Sequence, residues 1–444
     1  MSIKIRFLFR LIIRNDLTSL LFLYNITENK GVSMFFNIAG PKENPIRYLN
    51  ISLFFEMQVY LVPFSLLFYY QNGLTVQDFF LFQSIFFFCC LFLEIPTGYM
   101  ADLVSRKYII FLAYLFNCIR LFLFLQFSGY FIVLVGEICY ACCKSFLSGS
   151  LDSYVYDWLQ EKNIPHKMLS KYGKVSSMLS FGAAFATSTS ALVYYLGGIK
   201  ALLIIELITS MTGLSIILFL PNIKIYKKRK IRCQEILNSL SFIKENHTLF
   251  LLILFAGVCF ATTSIFTTLF QPMMQQMAVP AICFSFVYFF NNFTRGIISQ
   301  SIRFVKRYFT FKWILFCTTG LIFISFLGYY VELLYQIKMI LLLSLLIACI
   351  SIAFHLLTQI FTLSYLHTIA PNSLRSTCSS VMNMGLRAMS GFSLFLFKDI
   401  SSFFGYPNTC LIFGILFFII LLYLGLKLTQ KFSPCRIFYD NFSG

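Results

Sequence analysis

Charge is what this sequence has least of. Only 12% of its 444 residues are Asp, Glu, Lys or Arg, about half of the roughly 25% usual in soluble chains, while 59% are hydrophobic. Surface grows too slowly with chain length for a water-solvated fold to hide that much apolar area, so lipid has to be part of the solvent. No G-x-x-x-x-G-K-[ST] phosphate loop occurs, which argues against direct drive by ATP. No H-E-x-x-H or G-x-S-x-G run occurs either, and the four histidines are spread along the chain. An enzyme acting on lipid-like substrates would need such groups clustered. The 14 cysteines avoid the predicted external loops and read as small apolar residues, not a disulfide framework. Cys139, Cys142 and Cys143 do share one helical neighbourhood, but no acid or histidine completes a metal site there. No metal and no cofactor is expected.

What the chain has is long apolar runs. A membrane-spanning helix needs about 20 mainly apolar residues, and about twelve such segments can be placed. The first six cover 48–70, 75–97, 108–127, 130–154, 173–196 and 198–220; the second six cover 248–271, 280–302, 312–330, 338–366, 375–397 and 407–428. They are expected to be helices, because each segment must satisfy its own backbone in hydrocarbon, and the alternating pattern of a membrane barrel is absent. The expected fold is therefore an all-α integral membrane protein.

The net charge of +18 is explained by its distribution and does not call for nucleic acid. With residue 1 in the cytoplasm, Lys200, Lys338 and Lys398 lie outside and Arg120, Lys144, Arg295 and Arg387 lie within spans; all other Lys and Arg fall inside. That is the positive-inside asymmetry, and it puts both termini in the cytoplasm. Tyr69 and Tyr70, Tyr194 and Tyr195, and Tyr329 and Tyr330 end outward-running segments, where interfacial aromatic anchors belong.

Residues 1–45 stand apart as a cytoplasmic segment. In IKIRFLFRLIIR, Arg6, Arg10 and Arg14 stripe one helical face, the pattern of an interfacial amphipathic helix; translation from Met34 is the alternative. A basic cytoplasmic linker at 221–247 separates two halves of nearly equal length, 46–220 and 248–428, and a cytoplasmic tail covers 429–444. Equal halves suggest duplication, a transporter architecture with the binding site between repeats near mid-membrane. At the residue level the sign is weak: SIRFVKRYF places Arg303 and Arg307 where the first half has Asp102 and Arg106, without an acid or glycine.

Between the second and third segments lies EIPTGYMADLVSRK, Glu94 to Lys107. Pro96 and Gly98 are expected to end the second helix, one lacking a donor and the other free in its backbone. Asp102 and Arg106 would be one turn apart if the next helix begins early. Ser105 stands where a tight turn often uses glycine. This run resembles the loop motif G-x-x-x-D-[RK]-x-G-[RK]-[RK] of the major facilitator superfamily of transporters. Gly98, Asp102, Arg106 and Lys107 match it, while Leu103 and Ser105 depart from it. EIPTG together with SGSLDSYVYDWL, Ser148 to Leu159, is similar to a bacterial branch of that superfamily.

The resemblance implies two pseudo-symmetric six-helix bundles in the bacterial cytoplasmic membrane and a cytoplasmic gate. In the gate, Asp102 would contact the start of the eleventh span, and Arg106 would pair with Asp157 or Asp152. It also implies that the first, fourth, seventh and tenth spans line a central cavity. Ionisable groups in spans cost around 2.5–3.5 kcal/mol each at a helix centre and need a partner, water or a purpose. Glu56, Glu137, Lys144 and His355 fall on cavity-lining spans and are nominated for substrate or protons. Glu56 could exchange a proton there, and His355 could titrate near neutrality. Structural pairing, such as Glu56 with Arg120, is the alternative. Arg295 and Arg387 read as structural charges between halves, and Glu206 as a group close to external water.

These readings converge on a secondary transporter that acts as a monomer on a small-molecule substrate, with protons as coupling partner. Export of small amphipathic compounds is the first expectation, although the glycine-proline run of drug–proton antiporters is missing from SFGAAFATSTSA, Ser180 to Ala191. Uptake or exchange of a metabolite stays open, as do a lipid-active membrane enzyme and a non-transporting receptor or assembly factor.

Overall fold

The computed structural model describes residues 44–162, 164, 168–223, 233–300, 311–371 and 374–431. The amphipathic segment expected before residue 44, the second-half loop around Arg303 and Arg307, and the tail beyond 431 lie outside the described residues. So do the side chains of Asp102 and Asp152, although both positions are helical. The chain divides into two compact units, Met1–Arg47 and Tyr48–Gly444. Of the first, only its last few residues are described; the second holds everything that follows.

The described residues form helices and no strand. In chain order they are α1 (Pro45–Glu56), a 3-10 turn at Val62–Phe64, α2 (Ser65–Gln71), α3 (Val76–Leu103), α4 (Arg106–Gln126), α5 (Tyr130–Glu161) and α6 (Met168–Leu218). Then follow α7 (Cys233–Glu245), α8 (His247–Gln276), α9 (Ala281–Gln300), α10 (Phe311–Tyr335), α11 (Lys338–Ile369) and α12 (Arg375–Lys431). Eight of the described helices are long and apolar enough to cross a membrane.

Two of those eight are far longer than one crossing needs, and each is two helices joined at a glycine. In α6 the break is at Gly197 and Gly198, the latter with φ 65° and ψ −157°. In α12 it is at Gly405, φ 74° and ψ 164°, two residues before Pro407. Only glycine adopts these angles without strain. The start of α3 is capped by a box in which Thr75 Oγ1 accepts from Asp78 N at 3.2 Å and Thr75 N donates to Asp78 Oδ2 at 2.8 Å.

Three expectations about element ends are corrected. Pro96 and Gly98 do not terminate the second helix; α3 runs through both to Leu103 and stops at Val104, φ −111° and ψ 153°. Pro96 removes the donor for the Phe92 carbonyl without ending the helix, and Thr97 Oγ1 adds a bond to the next carbonyl, Leu93, at 2.8 Å; membrane helices carry proline where the turns around it hold. Ser105 has φ −53° and ψ 131°, so no left-handed turn is needed and serine serves as well as glycine. The first span is not one helix: α1 stops at Glu56 and regular helix resumes at Ser65.

Helices α3 to α6 pack among themselves, as do α8 to α12, and the two groups meet where α6 lies on α9 and α3 on α12. Small polar pairs seal these seams: Ser190 Oγ to Ser285 Oγ at 2.8 Å, Ser176 Oγ to Ser299 Oγ at 3.2 Å, and Ser84 Oγ to the Gly391 carbonyl at 2.8 Å. The linker is not merely a polar connection. Its α7 packs on α8 and α12, with Phe242 and Ile243 against Leu249, Cys378 and Met382.

Candidate functional site: a buried charge network in the first helices

The buried charges gather where α1, α4, α5 and α6 converge. Glu56, the last residue of α1, is 3% exposed. Its Oε1 accepts from Asn117 Nδ2 at 2.9 Å and its Oε2 from Ser210 Oγ at 2.6 Å. Cys143 Sγ lies 3.9 Å from the same carboxyl. These donors are neutral. The pairing of Glu56 with Arg120 is therefore not found, because Arg120 has another partner. Arg120 Nη2 donates to Glu206 Oε1 at 2.5 Å, and its Nε donates to Asn117 Oδ1 at 3.1 Å.

Glu206 does not sit near external water, since it is 2% exposed. Its second oxygen accepts the backbone N–H of Leu61 at 2.8 Å, so it holds a peptide group left open where the first span unwinds. Gln271 of α8 does the same from the other group. Its Oε1 accepts from Leu66 N at 2.7 Å, and its Nε2 donates to the Val62 carbonyl at 2.8 Å. A broken span in a membrane needs such outside partners for its peptides.

Tyr140 of α5 joins the cations: the Arg120 guanidinium lies 4.4 Å and the Lys144 ammonium 4.8 Å from its ring centre. Lys144 Nζ also lies 3.1 Å from Met57 Sδ. Glu137 accepts from Tyr69 Oη at 3.0 Å. Tyr69 is thus a buried member of the network and not an interfacial anchor, as is equally true of fully buried Tyr329; Tyr70 and Tyr195 do face outward.

His355 lies elsewhere, on α11. It is 4% exposed, with Nε2 unpartnered and the Phe260 ring centre 5.7 Å away. None of Glu56, Glu137, Lys144 or His355 lines the outer cleft of about 350 Å³ bounded by Tyr70, Gln276 and Tyr406. That cleft lacks the charges that would make chemistry, so the network is the better candidate.

The residues of the EIPTG and SGSLDSYVYD runs form a second cluster. Arg387 of α12 pairs with Glu94, donates to the Cys90 carbonyl at 2.9 Å and reaches Ser148 Oγ at 3.2 Å. One arginine from the last helices thereby joins the first residue of EIPTG to the first of SGSLDSYVYD. Arg106 Nε lies 3.5 Å from Asp157 Oδ2. Lys107 donates to the Leu218 carbonyl at 2.6 Å, and Ser105 to Asn222 Oδ1 at 3.0 Å, so part of the loop ties down the end of α6. Gly98 sits inside α3 with no atom within 4 Å of a built Cβ.

Sequence reasoning named the ionised residues but missed Tyr69, Asn117, Tyr140, Ser210 and Gln271. Neutral side chains among apolar ones carry no periodic signal. Asn117 and Arg120, three residues apart on α4, bond each other, a spacing too common on helices to mark them in advance.

The comparisons with known proteins agree with this architecture. The family model described as Major Facilitator Superfamily matches residues 49–394. No curated protein sequence matches the chain. Among solved structures, a POT family transporter in complex with 5-aminolevulinic acid superposes with a TM-score of 0.70 at 12% identity, over 88% of this chain and 97% of that one. The nucleoside transporter NupG gives 0.68 at 13% identity, over 87% and 99%. The human organic anion transporter MFSD10 gives 0.63 at 12% identity, over 87% and 100%. Identities this low speak for fold alone, while the family match spans most of the sequence: the chain belongs to the Major Facilitator Superfamily and is a multi-pass membrane transporter.

Proposed function

We propose that the chain crosses the cytoplasmic membrane of a bacterium twelve times as two six-helix halves. Within it, the chain acts as a monomer by alternating access, exporting small amphipathic compounds in exchange for protons. The broken α6 and α12 support the number of crossings, since each has an apolar run of at least 46 residues around a central glycine. The two breaks fall near the ends of their respective halves, as duplicated units would place them. The cytoplasmic gate is assigned to Arg387, Glu94 and Ser148 across the halves, with Arg106, Asp157 and Lys107 bracing one side, and with Asp102, Asp152 and Gly98 as their helix neighbours.

One observation carries the proton. The network contains three carboxyls, Glu56, Glu137 and Glu206, against two cations, Arg120 and Lys144. With Glu206 committed to Arg120, a single added proton makes the set neutral; Glu56 and Glu137 both accept from neutral donors, and of the two we assign the proton to Glu56 because it ends α1. A carboxyl in that setting takes a proton at the least electrostatic loss. Glu56 is also the residue at which the first helix unwinds, so its bonds to Asn117 and Ser210 set the position of the segment held by Glu206 and Gln271. Protonation therefore reaches both halves through one stretch of backbone.

Flux in proteoliposomes under an imposed pH gradient tests this, using small amphipathic fluorophores of either charge. Glu56→Gln keeps an acceptor oxygen for Asn117 and places an amide N–H against Ser210 Oγ, which can accept it, so it should leave the melting temperature nearly unchanged and abolish proton-driven movement. A variant that still accumulates fluorophore in response to the gradient would remove Glu56 from coupling.

A further inference from the structure

The last helices hold an arginine that nothing balances. Arg295 of α9 has no acidic partner among the described residues and keeps part of its surface open. A buried cation without a counter-charge is costly, so either water or a ligand has to meet it. It is not alone. Asn291, one turn earlier on the same face, is 3% exposed with its Oδ1 unpartnered. His355 is 4% exposed with its Nε2 unpartnered, and in either tautomer that nitrogen is left with an unmet bond.

Helix geometry brings the three together. Two contacts tie α9 to α11: Cys349 Sγ lies 3.8 Å from the Val287 carbonyl, and Ile298 packs with Leu357 and Phe361. The helices therefore run in the same direction, with Arg295 and His355 both between those contacts. At 1.5 Å per residue, Arg295 is about 12 Å and His355 about 9 Å below the first contact, so they share one level. The Arg295 charge is the one that acts on His355. Asn291 and Arg295 also continue the stripe of Phe284 and Tyr288 along α9, whose upper end reaches α8 through the hydrogen bond of Tyr288 Oη to the Thr267 carbonyl at 2.9 Å. One level lower on α8 is Phe260, against His355 on one side and against Phe87 of α3 at 5.8 Å on the other. The unmet groups thus sit where the two groups of helices face each other.

The geometry points to a subsite formed by Arg295, Asn291 and His355 for a carboxylate on the transported molecule. A guanidinium offers a planar fork of donors matched to two carboxylate oxygens. His355 Nε2 donates to the same group in its N–H tautomer, and the Asn291 amide, whose Oδ1 no partner holds, can turn its N–H donors toward it. Phe260 supplies an apolar wall for the remainder of an amphipathic acid. This inference rests on the export reading for its substrate and deepens it: an anion leaving and a proton entering both move with an inside-negative membrane potential.

The test reads the subsite without needing flux. Asn291→Cys in the full chain, in lipid nanodiscs, is labelled with an anionic or a cationic methanethiosulfonate, and modification at residue 291 is followed by peptide mass spectrometry. The anionic reagent should react about tenfold faster or more, the scale on which a charged cleft concentrates its counter-ion. Adding Arg295→Gln should erase that preference. Benzoate should slow labelling, and benzamide, its neutral isostere, should not. Failure of the anionic reagent to reach residue 291, equal rates for the two, or equal protection by benzoate and benzamide would overturn the subsite. Anion preference at residue 291 in a chain that shows no proton-linked flux would keep the subsite and sink the coupling scheme; the reverse result would do the opposite.

Discussion

In α1 to α6 the buried acids have partners. Arg120 meets Glu206, Asn117 bridges Arg120 to Glu56, and Tyr69 caps Glu137. In α8 to α12 they do not. Glu332 is 0% exposed with both carboxyl oxygens unpartnered, and Asn291, Tyr329 and His355 each hide an unmet polar atom. For its buried acids, the same superfamily scaffold thus carries a satisfied network on one side and an unpaired carboxyl on the other; unmet neutral groups occur on both sides, with Asn50, Gln77, Ser145 and Trp158 among the first helices. A closed network gives rigidity and a defined electrostatic state. Open valences at a helix interface are tolerated only where something else comes to fill them or where stability is given up for function. The proposals of a proton on the first helices and of a carboxylate on the last rest on this asymmetry.

The harshest way to break this comparison is to unbalance the closed side. Arg120→Leu should cost about 3–5 kcal/mol, because Glu206 is left as a buried, uncompensated charge. Urea or thermal unfolding in detergent measures the loss. Replacing both, Arg120→Leu with Glu206→Leu, should recover most of it, since an apolar pair of similar volume costs little where an ion pair stood. A double variant as unstable as the single one would show that the Leu61 peptide held by Glu206, and not the charge pair, is what the network protects.

Between the two groups, Arg387→Ala removes the ties to Glu94, the Cys90 carbonyl and Ser148 together. Hydrogen bonds to charged groups contribute about 1.5–3 kcal/mol, so a loss of about 2–3 kcal/mol is expected. It should come with faster labelling of a reporter cysteine at Ser148→Cys from the cytoplasmic side. Unchanged labelling with reduced stability would make Arg387 a structural residue of α12 with no part in closing the halves.

How much of this was legible beforehand depends on what kind of signal each feature leaves. Long apolar runs survive any local variation, so the all-helical membrane fold could be read from composition. The ionised residues within spans stood out because each is costly alone. Their partners did not, because Asn117, Tyr140 and Ser210 are ordinary on any helix and acquire meaning only when four helices converge. Glu206 was misjudged for a related reason: its position near the end of a span suggested water, yet the unwound backbone at Leu61 folds over it. The break of the first span left one signal that the hydropathy reading passed over, Pro63 within Met57 to Phe64, while the two side chains that hold its peptides come from distant helices.

On the open side the sign of the effect reverses. Glu332→Leu deletes a carboxyl that has no partner, so the chain should gain about 1–2 kcal/mol, the penalty of a buried unsatisfied group being removed. Destabilisation by the same substitution would mean that Glu332 has a bound water or ion as partner, and the contrast between the two groups would weaken accordingly.

The smallest effect is expected at Gly98, in the motif itself. Its Cβ would meet nothing within 4 Å, whereas a Cβ on Gly182, which no motif includes, would lie 2.5 Å from the Phe54 carbonyl oxygen at the α1–α6 contact. Gly98→Ala should therefore leave stability unchanged or raise it by up to about 1 kcal/mol through helix propensity, while Gly182→Ala should lower it by about 1–3 kcal/mol through overpacking. Melting temperatures of the two variants decide the stability half. If Gly98→Ala is stable and transport is nonetheless lost, the glycine is needed in a conformation where α3 is approached more closely than here. The motif would then mark the moving seam between the two groups of helices and not the resting one.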